Sequence, residues 1–337
     1  MTDNFPLFKL PYVALYKVLD HVGTKVTIPI SLCSRRIRLI VKNYHGPSKR
    51  VNIEFDIDQC TLKVDHTTLI SVMSVPKYQE YLERVTIGPR RVPVYIRNGI
   101  LETYWNDEKE GMTTIIEFTL DVFNAKLHSL KSYLTSSADV RFWIEWIRKF
   151  QGKIHTLFAR LSAGQQEELT KYILESDFVT GDLELPSLYT PNGRRLVPDP
   201  RSYPVNFFYL RSSYWVTLDN FLAMDIKKIC LKYTHLTCQD VNIFLKRWIK
   251  GECSKRIKEV SLDIFKDIEI DVLFMGIEVT RRDPNSIRHY VGYKGTEPIV
   301  GGFDIRRKTD DAMATIMVKY GGLKILFWPD NEGYPYH

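Results

Sequence analysis

The sequence predicts a mixed protein, α/β in part and α+β in part, that is built from successive regions of different character. Near the N-terminus, apolar residues recur at helical spacing over residues 10–22. Residues 51–58 instead alternate apolar and polar side chains, which is typical of a strand with one buried face. Two amphipathic segments, at 139–150 and 238–250, read as helices, and a strand-like segment follows each of them. These patterns predict a helical N-terminal region, a β-hairpin-rich middle, a series of βα units and a C-terminal antiparallel sheet.

The composition indicates a folded chain, and its charge does not predict a strongly charged partner such as nucleic acid. Of 337 residues, 44% are hydrophobic and 26% are charged, so the chain can bury a core and is not expected to be disordered. The net charge of +7 and the pI of about 9.0 are mildly basic. The arginine clusters are scattered, and no basic stripe with interleaved aromatic residues is present. A nucleic-acid partner is therefore not expected.

The sequence carries no signal of export or membrane insertion. The first residues lack the apolar core of a signal peptide, and no run of about 18 apolar residues occurs. The five cysteines are odd in number and none forms a C-x-x-C pair, so free thiols are expected and a structural zinc site is not. The chain is expected in the cytoplasm or the nucleus, without a membrane partner.

The first 45 residues predict a small helical unit. Leu10-Pro11 opens a helix that Gly23 ends, and a second helix is signalled near Cys33-Ser34. Between them, Pro29 is expected to prevent helix and to distort the middle of the unit. About 40 residues cannot bury so wide an apolar stripe alone, so part of it must face a partner or the rest of the chain.

This unit, residues 5–45, resembles the F-box in the form found in the large nematode F-box family. The strings that carry the resemblance are Leu10-Pro11, Val18-Leu19 and Ser31-Leu32-Cys33-Ser34-Arg35. The resemblance implies docking on the small adaptor subunit of a cullin–RING ubiquitin ligase. Carried over by position, the docking and core residues are Leu7, Leu10, Pro11, Val13, Val18, Leu19, Leu32, Cys33, Ile37 and Ile40. The alternative is an ordinary helical hairpin of a larger domain.

Residues 50–125 are predicted to form a β-rich connecting region. Besides 51–58, the strand candidates are 61–64, 69–75, 92–96 and 113–120. The charged segment 106–111 is predicted to be a turn between two of these strands.

The helices predicted at 139–150 and 238–250 have matching start and stop signals. Ser136 is followed by Asp139, and Thr237 by Asp240, at the spacing of a capping box. The first helix is expected to end near Gly152, and the second near Gly251.

Residues 126–265 repeat one strand pattern, apolar-x-x-apolar-x-apolar. Its central positions are Leu157, Leu183, Phe208, Ile229 and Val260, with steps of 26, 25, 21 and 31 residues. This spacing resembles leucine-rich repeats, in which each unit supplies one strand and one helical return. An ordinary α/β domain with the same βα units remains the alternative. In either case the segments 226–231 and 257–262 are predicted to form a βαβ unit.

Residues 213–262 also resemble the F-box-associated domain of the nematode family. The similarity lies in Ser213-Tyr214-Trp215-Val216-Thr217-Leu218, Ile229-Cys230-Leu231, Phe244-Leu245 and Trp248-Ile249. The chain is thus identified as a nematode-type F-box protein with a C-terminal F-box-associated domain of type 2. Such a protein joins an adaptor-docking end to a partner-recognition end.

The tail, residues 266–328, is predicted to form an antiparallel sheet with strands at 277–280, 299–305, 315–318 and 323–327. Of the aromatic residues, Trp146 and Trp248 are expected in helix cores. Tyr214, Trp215 and Phe303 are expected to be exposed and are the candidates for target binding.

No enzyme motif occurs. The sequence lacks a Walker-type loop, a G-x-S-x-G elbow and an H-E-x-x-H pair, and its eight histidines are dispersed. The chain is therefore expected to be no enzyme and to need no cofactor or metal. Its expected function is that of a substrate-recognition adaptor in an SCF-type ligase, bound to the adaptor subunit and to an unknown protein target. One alternative is a scaffold with a degenerate F-box; another, a thiol hydrolase, has only cysteine and histidine, such as Cys230 and His235, in its favour.

Overall fold

The computed structural model describes residues 7–46, 51–75, 83–133, 136–160, 166–186, 203, 205–264, 267–319 and 321–328. Parts of the predicted regions, among them residues 5, 6, 50 and 265, lie outside these ranges. The chain divides into two compact units, Met1–Ser132 and Tyr133–His337. The predicted mixture of α and β structure is confirmed, whereas the division into four regions stays a prediction. No helix within the described ranges is both long and apolar enough to cross a membrane.

The first unit begins with helices and continues as a sheet that one further helix interrupts. Its helices are α1 Tyr12–Val22, α2 Thr24–Cys33, α3 Arg35–Tyr44 and α4 Glu108–Phe123. Its strands are β1 Ile53–Asp56, β2 Thr61–Val64, β3 Thr67–Ser74, β4 Glu83–Ile87, β5 Arg90–Arg97, β6 Ile100–Trp105 and β7 Leu127–Ser132.

The strands of the first unit follow the order β7-β1-β2-β3-β6-β5-β4. Pairs β1–β7 and β3–β6 are parallel, and the other neighbours are antiparallel. The strands predicted at 51–58, 61–64, 69–75 and 92–96 are confirmed as β1, β2, β3 and β5. Strands β4, β6 and β7 were not predicted.

Helix α2 runs through Pro29, so the expected interruption of the helix is wrong. Proline removes one backbone hydrogen bond and costs about 3 kcal/mol in a helix interior. The hydroxyl groups of Thr27 and Ser31 donate to the helix carbonyls of Gly23 and Ile28, at 3.0 and 2.6 Å. Thr27, Ile28 and Ser31 are also buried, and tertiary packing of such a face outweighs weak local propensity.

Helix α4 occupies the segment in which a turn and a strand were predicted, and both predictions are wrong. The Asp107 carboxylate caps the helix by accepting from the backbone N–H groups of Lys109 and Glu110, at 2.8 and 3.2 Å. The buried side chains recur at helical spacing: Met112, Ile115, Ile116, Phe118, Thr119, Val122 and Phe123. The β-branched run 113–116 suggested a strand, but the cap and this spacing decide for a helix.

Gly111, in the first turn of α4, lies against the ring of Trp105. A methyl group added to Gly111 would lie 2.6 Å from Trp105 Cγ. The ring cannot move aside freely, because it is buried and its Nε1 donates to Thr103 Oγ1 at 3.0 Å. The close contact therefore requires glycine here.

The second unit alternates helices and strands and then continues as strands. Its helices are α5 Ser137–Gln151, α6 Gln166–Glu175, α7 Leu218–Ala223, α8 Cys238–Ile249 and α9 Ile270–Leu273. Its first strands are β8 Ile154–Ala159, β9 Val179–Leu185, β10 Phe207–Leu210, β11 Lys228–Thr234 and β12 Glu259–Ile264. The later strands are β13 Thr280–Arg281, β14 Ile287–Gly292, β15 Gly295–Val300, β16 Phe303–Arg306, β17 Met313–Lys319 and β18 Gly322–Phe327.

The predicted caps of α5 and α8 are confirmed. Ser136 Oγ accepts from the backbone N–H of Asp139, and Thr237 forms a reciprocal capping box with Asp240. Gly152 follows α5 with φ of 81°, a conformation that glycine adopts without strain.

Strands β8 to β12 form a continuous parallel ladder in which the repeated pattern is aligned. Leu157 pairs with Leu183, Leu183 with Phe208, Phe208 with Ile229, and Ile229 with Val260. All five side chains are buried. The predicted βαβ unit is therefore confirmed as β11, α8 and β12. The resemblance to leucine-rich repeats stays a prediction.

Beyond β12 the sheet of this unit becomes antiparallel, in the order β12-β18-β17-β16-β13. The strand predicted at 277–280 is reduced to β13. The strand predicted at 299–305 is wrong as one element, because Gly301 and Gly302 adopt φ of 63° and 100° and separate β15 from β16. Strands β14 and β15 form a separate hairpin.

The antiparallel part is held together by a buried carboxylate, that of Asp304 in β16. Two nitrogens of Arg288 donate to its oxygens at 3.0 and 3.1 Å, and Thr315 Oγ1 donates at 2.6 Å. Arg282 Nε donates to Asp304 Oδ2 as well. Because the carboxylate belongs to β16 and its partners Arg288 and Thr315 belong to β14 and β17, it ties the hairpin to the sheet.

Gly111→Ala is expected to lower the free energy of unfolding by about 1–3 kcal/mol through overpacking. Elsewhere in a helix the same change stabilises by about 0.5–1 kcal/mol. Urea unfolding followed by circular dichroism measures the change, with Glu117→Ala on the exposed side of α4 as the control. An unchanged or raised stability would show that Trp105 moves aside at no cost.

Asp304→Ala is expected to cost about 3–5 kcal/mol, because it leaves the largely buried side chain of Arg288 without its carboxylate. Glu175→Ala, which breaks the surface pair with Lys171, is expected to cost no more than about 0.5 kcal/mol. Thermal unfolding of both variants measures the difference. Similar losses in the two would contradict the role given to Asp304.

Candidate partner-binding sites

The N-terminal helices have a small core of their own. Leu15 and Leu19 of α1 pack with Ile40 and Tyr44 of α3, and Leu7 and Leu10 lie against this cluster. Tyr44 Oη donates to Asp20 Oδ1 at 2.6 Å and joins the same two helices. These residues are the part of the predicted apolar stripe that the N-terminal helices bury against each other.

The structure divides the ten residues carried over from the F-box into three groups. Leu19 and Ile40 are buried core residues. The half-buried residues are Leu7, Leu10, Val18, Leu32 and Ile37, and the exposed ones are Pro11, Val13 and Cys33. Only the last two groups can touch a partner without unfolding of the helices.

Three further apolar side chains of this region are exposed and were missed by the sequence reasoning: Tyr12, Val26 and Leu39. Val13 is 78% exposed and Leu39 is 53% exposed. Leu15 and Leu19 define the inward face of α1, and Val13, two residues before Leu15, lies on the opposite side of the helix. Four exposed apolar side chains on three short helices make this region suited to an apolar partner.

Helix α3 is oriented by ion pairs to α4. Lys42 Nζ lies 2.6 Å from Asp121 Oδ1, and Arg38 Nε lies 3.9 Å from Asp121 Oδ2. The guanidinium of Arg38 also lies over the ring of Phe118, 5.7 Å from its centroid. These contacts hold the basic side of α3 against α4, while Leu39 stays exposed.

Of the three target-binding candidates, Trp215 is buried at 4% exposure, so its expected exposure is wrong. The reason is Ser213, two residues before Trp215, whose N–H and hydroxyl both donate to the carbonyl of Lys232 in β11, at 3.0 and 2.8 Å. This holds the turn against the strand and directs the indole inward. No local sequence pattern indicates this contact.

The other two candidates are partly accessible. Tyr214 is half-buried, with its ring 6.4 Å from the ring of His235. Phe303 is half-buried in β16 and packs on Phe274 at 5.0 Å between ring centroids. They lie on different elements and stay separate candidates.

A cavity of about 610 Å³ opens beyond the carboxyl ends of β11 and β12. Its apolar lining includes Leu236, Cys238 and Ile264, and carboxylates of Asp267 and Glu269 lie at its wall. Loops at the carboxyl ends of neighbouring parallel strands commonly form such cavities. The cavity was not predicted from the sequence, although the βαβ unit beside it was.

Two thiols of this unit, those of Cys230 and Cys253, have a changed acidity. Burial raises the pKa of Cys230, and it raises the pKa of Cys253 to about 11. A nucleophilic cysteine needs a lowered pKa, so these two groups have the opposite character. Within the ranges that the structure describes, no group of three or more metal-ligating side chains comes together.

Residues 202–262 match the family model described as F-box associated. The match contains β10, α7, β11, α8 and the start of β12, and it includes the segment 213–262 that carried the resemblance. It does not extend to residues 5–45. The F-box-associated part of the prediction is therefore supported, and the F-box itself stays a prediction.

Two proteins of Caenorhabditis elegans are similar to the chain over most of its length. E3 ubiquitin-protein ligase hecw-1 is 22% identical over 283 residues, which are 76% of this chain and 22% of that protein. Uncharacterized protein F59B2.8 is 22% identical over 314 residues, which are 84% of this chain and 66% of that protein. The chain thus spans about a fifth of the first relative and just under two thirds of the second. No solved structure matches. Over residues 202–262, the chain is similar to F-box-associated domains.

Proposed function

We propose that the chain is a substrate-recognition subunit of an SCF-type cullin–RING ubiquitin ligase. In this function, residues 5–45 dock on the adaptor subunit and the C-terminal half binds a protein target. The observation that carries the proposal is the exposure of Val13 and Leu39 on helices that already have their own core. The match of residues 202–262 to an F-box-associated family supports it.

Exposed apolar residues of α1 and α3 are suited to docking because folding does not need them. Leu15, Leu19 and Ile40 bury the inward faces. Complete burial of a valine or leucine side chain against a partner contributes about 1.5–3 kcal/mol, so Val13 and Leu39 can supply a large part of a binding energy. The half-buried Leu10 and Ile37 would add to the contact without rearrangement.

The proposed mechanism is proximity rather than chemistry by this chain. Binding the ligase and the target at once raises the effective concentration of the target near the ubiquitin-conjugating enzyme. No side chain of the chain takes part in the covalent step, in keeping with the raised pKa of Cys230 and Cys253. Such a subunit acts in the cytoplasm or the nucleus.

The name of one relative links it to ubiquitin ligation, although the chain covers only 22% of that protein. The alternative, a scaffold with a degenerate F-box, was motivated by a distortion at Pro29. Helix α2 is continuous through Pro29, which removes that motivation.

Val13→Asp combined with Leu39→Asp is expected to lower capture of the chain by a purified adaptor subunit at least tenfold, because two desolvated contacts become charged. Lys17→Gln combined with Asn43→Asp is the matched control, since it changes the net charge equally at exposed sites of α1 and α3. A pull-down with equal inputs measures capture. Leu19 is unsuitable for this test, because it is 2% exposed and its substitution would unfold the helices.

Equal capture of the double aspartate variant and the wild type would overturn the proposed docking. Failure of the folded wild type to bind any adaptor subunit would favour the scaffold alternative. Thermal unfolding of each variant establishes that the helices remain folded.

A further inference from the structure

The strands β9 to β12 have two faces of different chemistry. One face carries the aligned apolar row that includes Leu183 and Phe208. Because side chains alternate along a strand, the neighbouring positions Asp182, Phe207, Lys228 and Glu259 share the opposite face, which we call the open face. Lys228 Nζ pairs there with Glu259 Oε1 at 2.9 Å.

The β14–β15 hairpin is anchored to this unit by buried side chains of both its strands. Tyr290 is fully buried, and its hydroxyl donates to the carbonyl of Lys258. Ile299 is buried beside it, in a cluster with Met317 and Leu326. The strands of the hairpin are therefore fixed by packing of these side chains.

The tip of the same hairpin, Tyr293-Lys294, reaches the open face through polar and aromatic contacts. Tyr293 Oη donates to Asp182 Oδ1 at 3.0 Å. Lys294 Nζ donates to Glu184 Oε1 at 3.0 Å and lies 3.7 Å from Asp182 Oδ2. The same ammonium lies 3.7 Å from the centroid of the Phe207 ring. We call Asp182, Glu184 and Phe207 the tip cleft.

The tip cleft has the chemistry of a site for a cationic side chain. Two carboxylates attract an ammonium or guanidinium group, and an aromatic face stabilises it by a cation–π interaction. Phe207 is buried beneath this ammonium. Lys294 itself is exposed on its other side, so its contacts can exchange with those of another cation.

The hairpin joins a tip held by polar and aromatic contacts to strands held by buried side chains. Gly292 and Gly295 flank Tyr293-Lys294, and Gly295 adopts φ of 129°, which other residues rarely reach. Release of the tip would break these polar contacts and expose Phe207, whereas the contacts that anchor Tyr290 and Ile299 are made by other residues than the tip. Polar contacts to water can replace much of what is lost.

We infer that the tip cleft binds a lysine- or arginine-bearing segment of the target protein, and that Tyr293-Lys294 occupies this site in the unbound chain. A basic target segment then displaces the tip and places its own cation between Asp182, Glu184 and Phe207. This inference rests on the target-binding half of the proposed function. The hairpin tip then competes with the target for the cleft. Only a segment that binds strongly enough to displace the tip is bound.

Tyr293→Ala combined with Lys294→Ala in the full chain is expected to open the cleft. The probe is a fluorescein-labelled peptide of residues 291–296, Val-Gly-Tyr-Lys-Gly-Thr, and fluorescence anisotropy measures its binding. The opened variant should bind this peptide at least tenfold more tightly than the wild type. A peptide with glutamate in place of the lysine should not bind, and added salt should weaken binding.

Thr296→Ala is the matched control, because Thr296 is an exposed hairpin residue outside the tip contacts. It should bind the peptide as the wild type does. Adding Asp182→Asn and Glu184→Gln to the opened variant should abolish binding. If the opened variant does not fold, Lys294→Gln alone, which keeps Tyr293, is used in its place.

Equal peptide binding by the opened variant and the wild type, or binding by neither, would overturn the inference and make the tip a purely structural contact. The assay contains no ligase component. Its failure is therefore distinguishable from failure of the proposed adaptor docking, which depends on α1 and α3.

Discussion

The second unit depends on one alignment, that of the buried side chains of Leu157, Leu183, Phe208, Ile229 and Val260 across five parallel strands. A shift of one residue in any of these strands would turn its apolar side chains to the opposite face. Burial of these side chains therefore fixes the register in which the five strands pair. The same register places the charged and aromatic side chains of the open face beside each other, so the recognition chemistry is a consequence of core packing.

The parts of the fold that could be predicted are those where a local signal and burial agree. Thr237 and Asp240 supply a cap, and the apolar spacing of α8 supplies a buried face, so both its start and its extent follow from the sequence. In α4 the signals conflict, because the β-branched run favours a strand while the Asp107 cap favours a helix. Trp215 was unpredictable for another reason: its burial depends on hydrogen bonds from Ser213 to a strand distant in sequence.

The candidate docking residues could be named from the sequence, but the sequence did not show which of them are exposed. Periodicity identifies apolar positions, yet Val13 and Leu19 both fit a helical apolar pattern. Which of them faces inward depends on how α1 packs against α3, through Ile40 and Tyr44. The separation of core from docking residues is thus a tertiary property. The continuity of α2 through Pro29 is tertiary in the same sense, since a buried face compensates for a missing hydrogen bond.

The antiparallel strands after β12 also protect the ladder of the second unit. A parallel strand left at the edge would offer a row of free backbone groups to another molecule, which is a route to aggregation. Here β18, β17 and β16 cover β12, and in the described residues this side of the ladder ends at β13, which contains only Thr280 and Arg281. A two-residue edge that carries a charge is a poor template for strand addition. The C-terminal strands therefore prevent the parallel ladder from pairing with a strand of a neighbouring molecule.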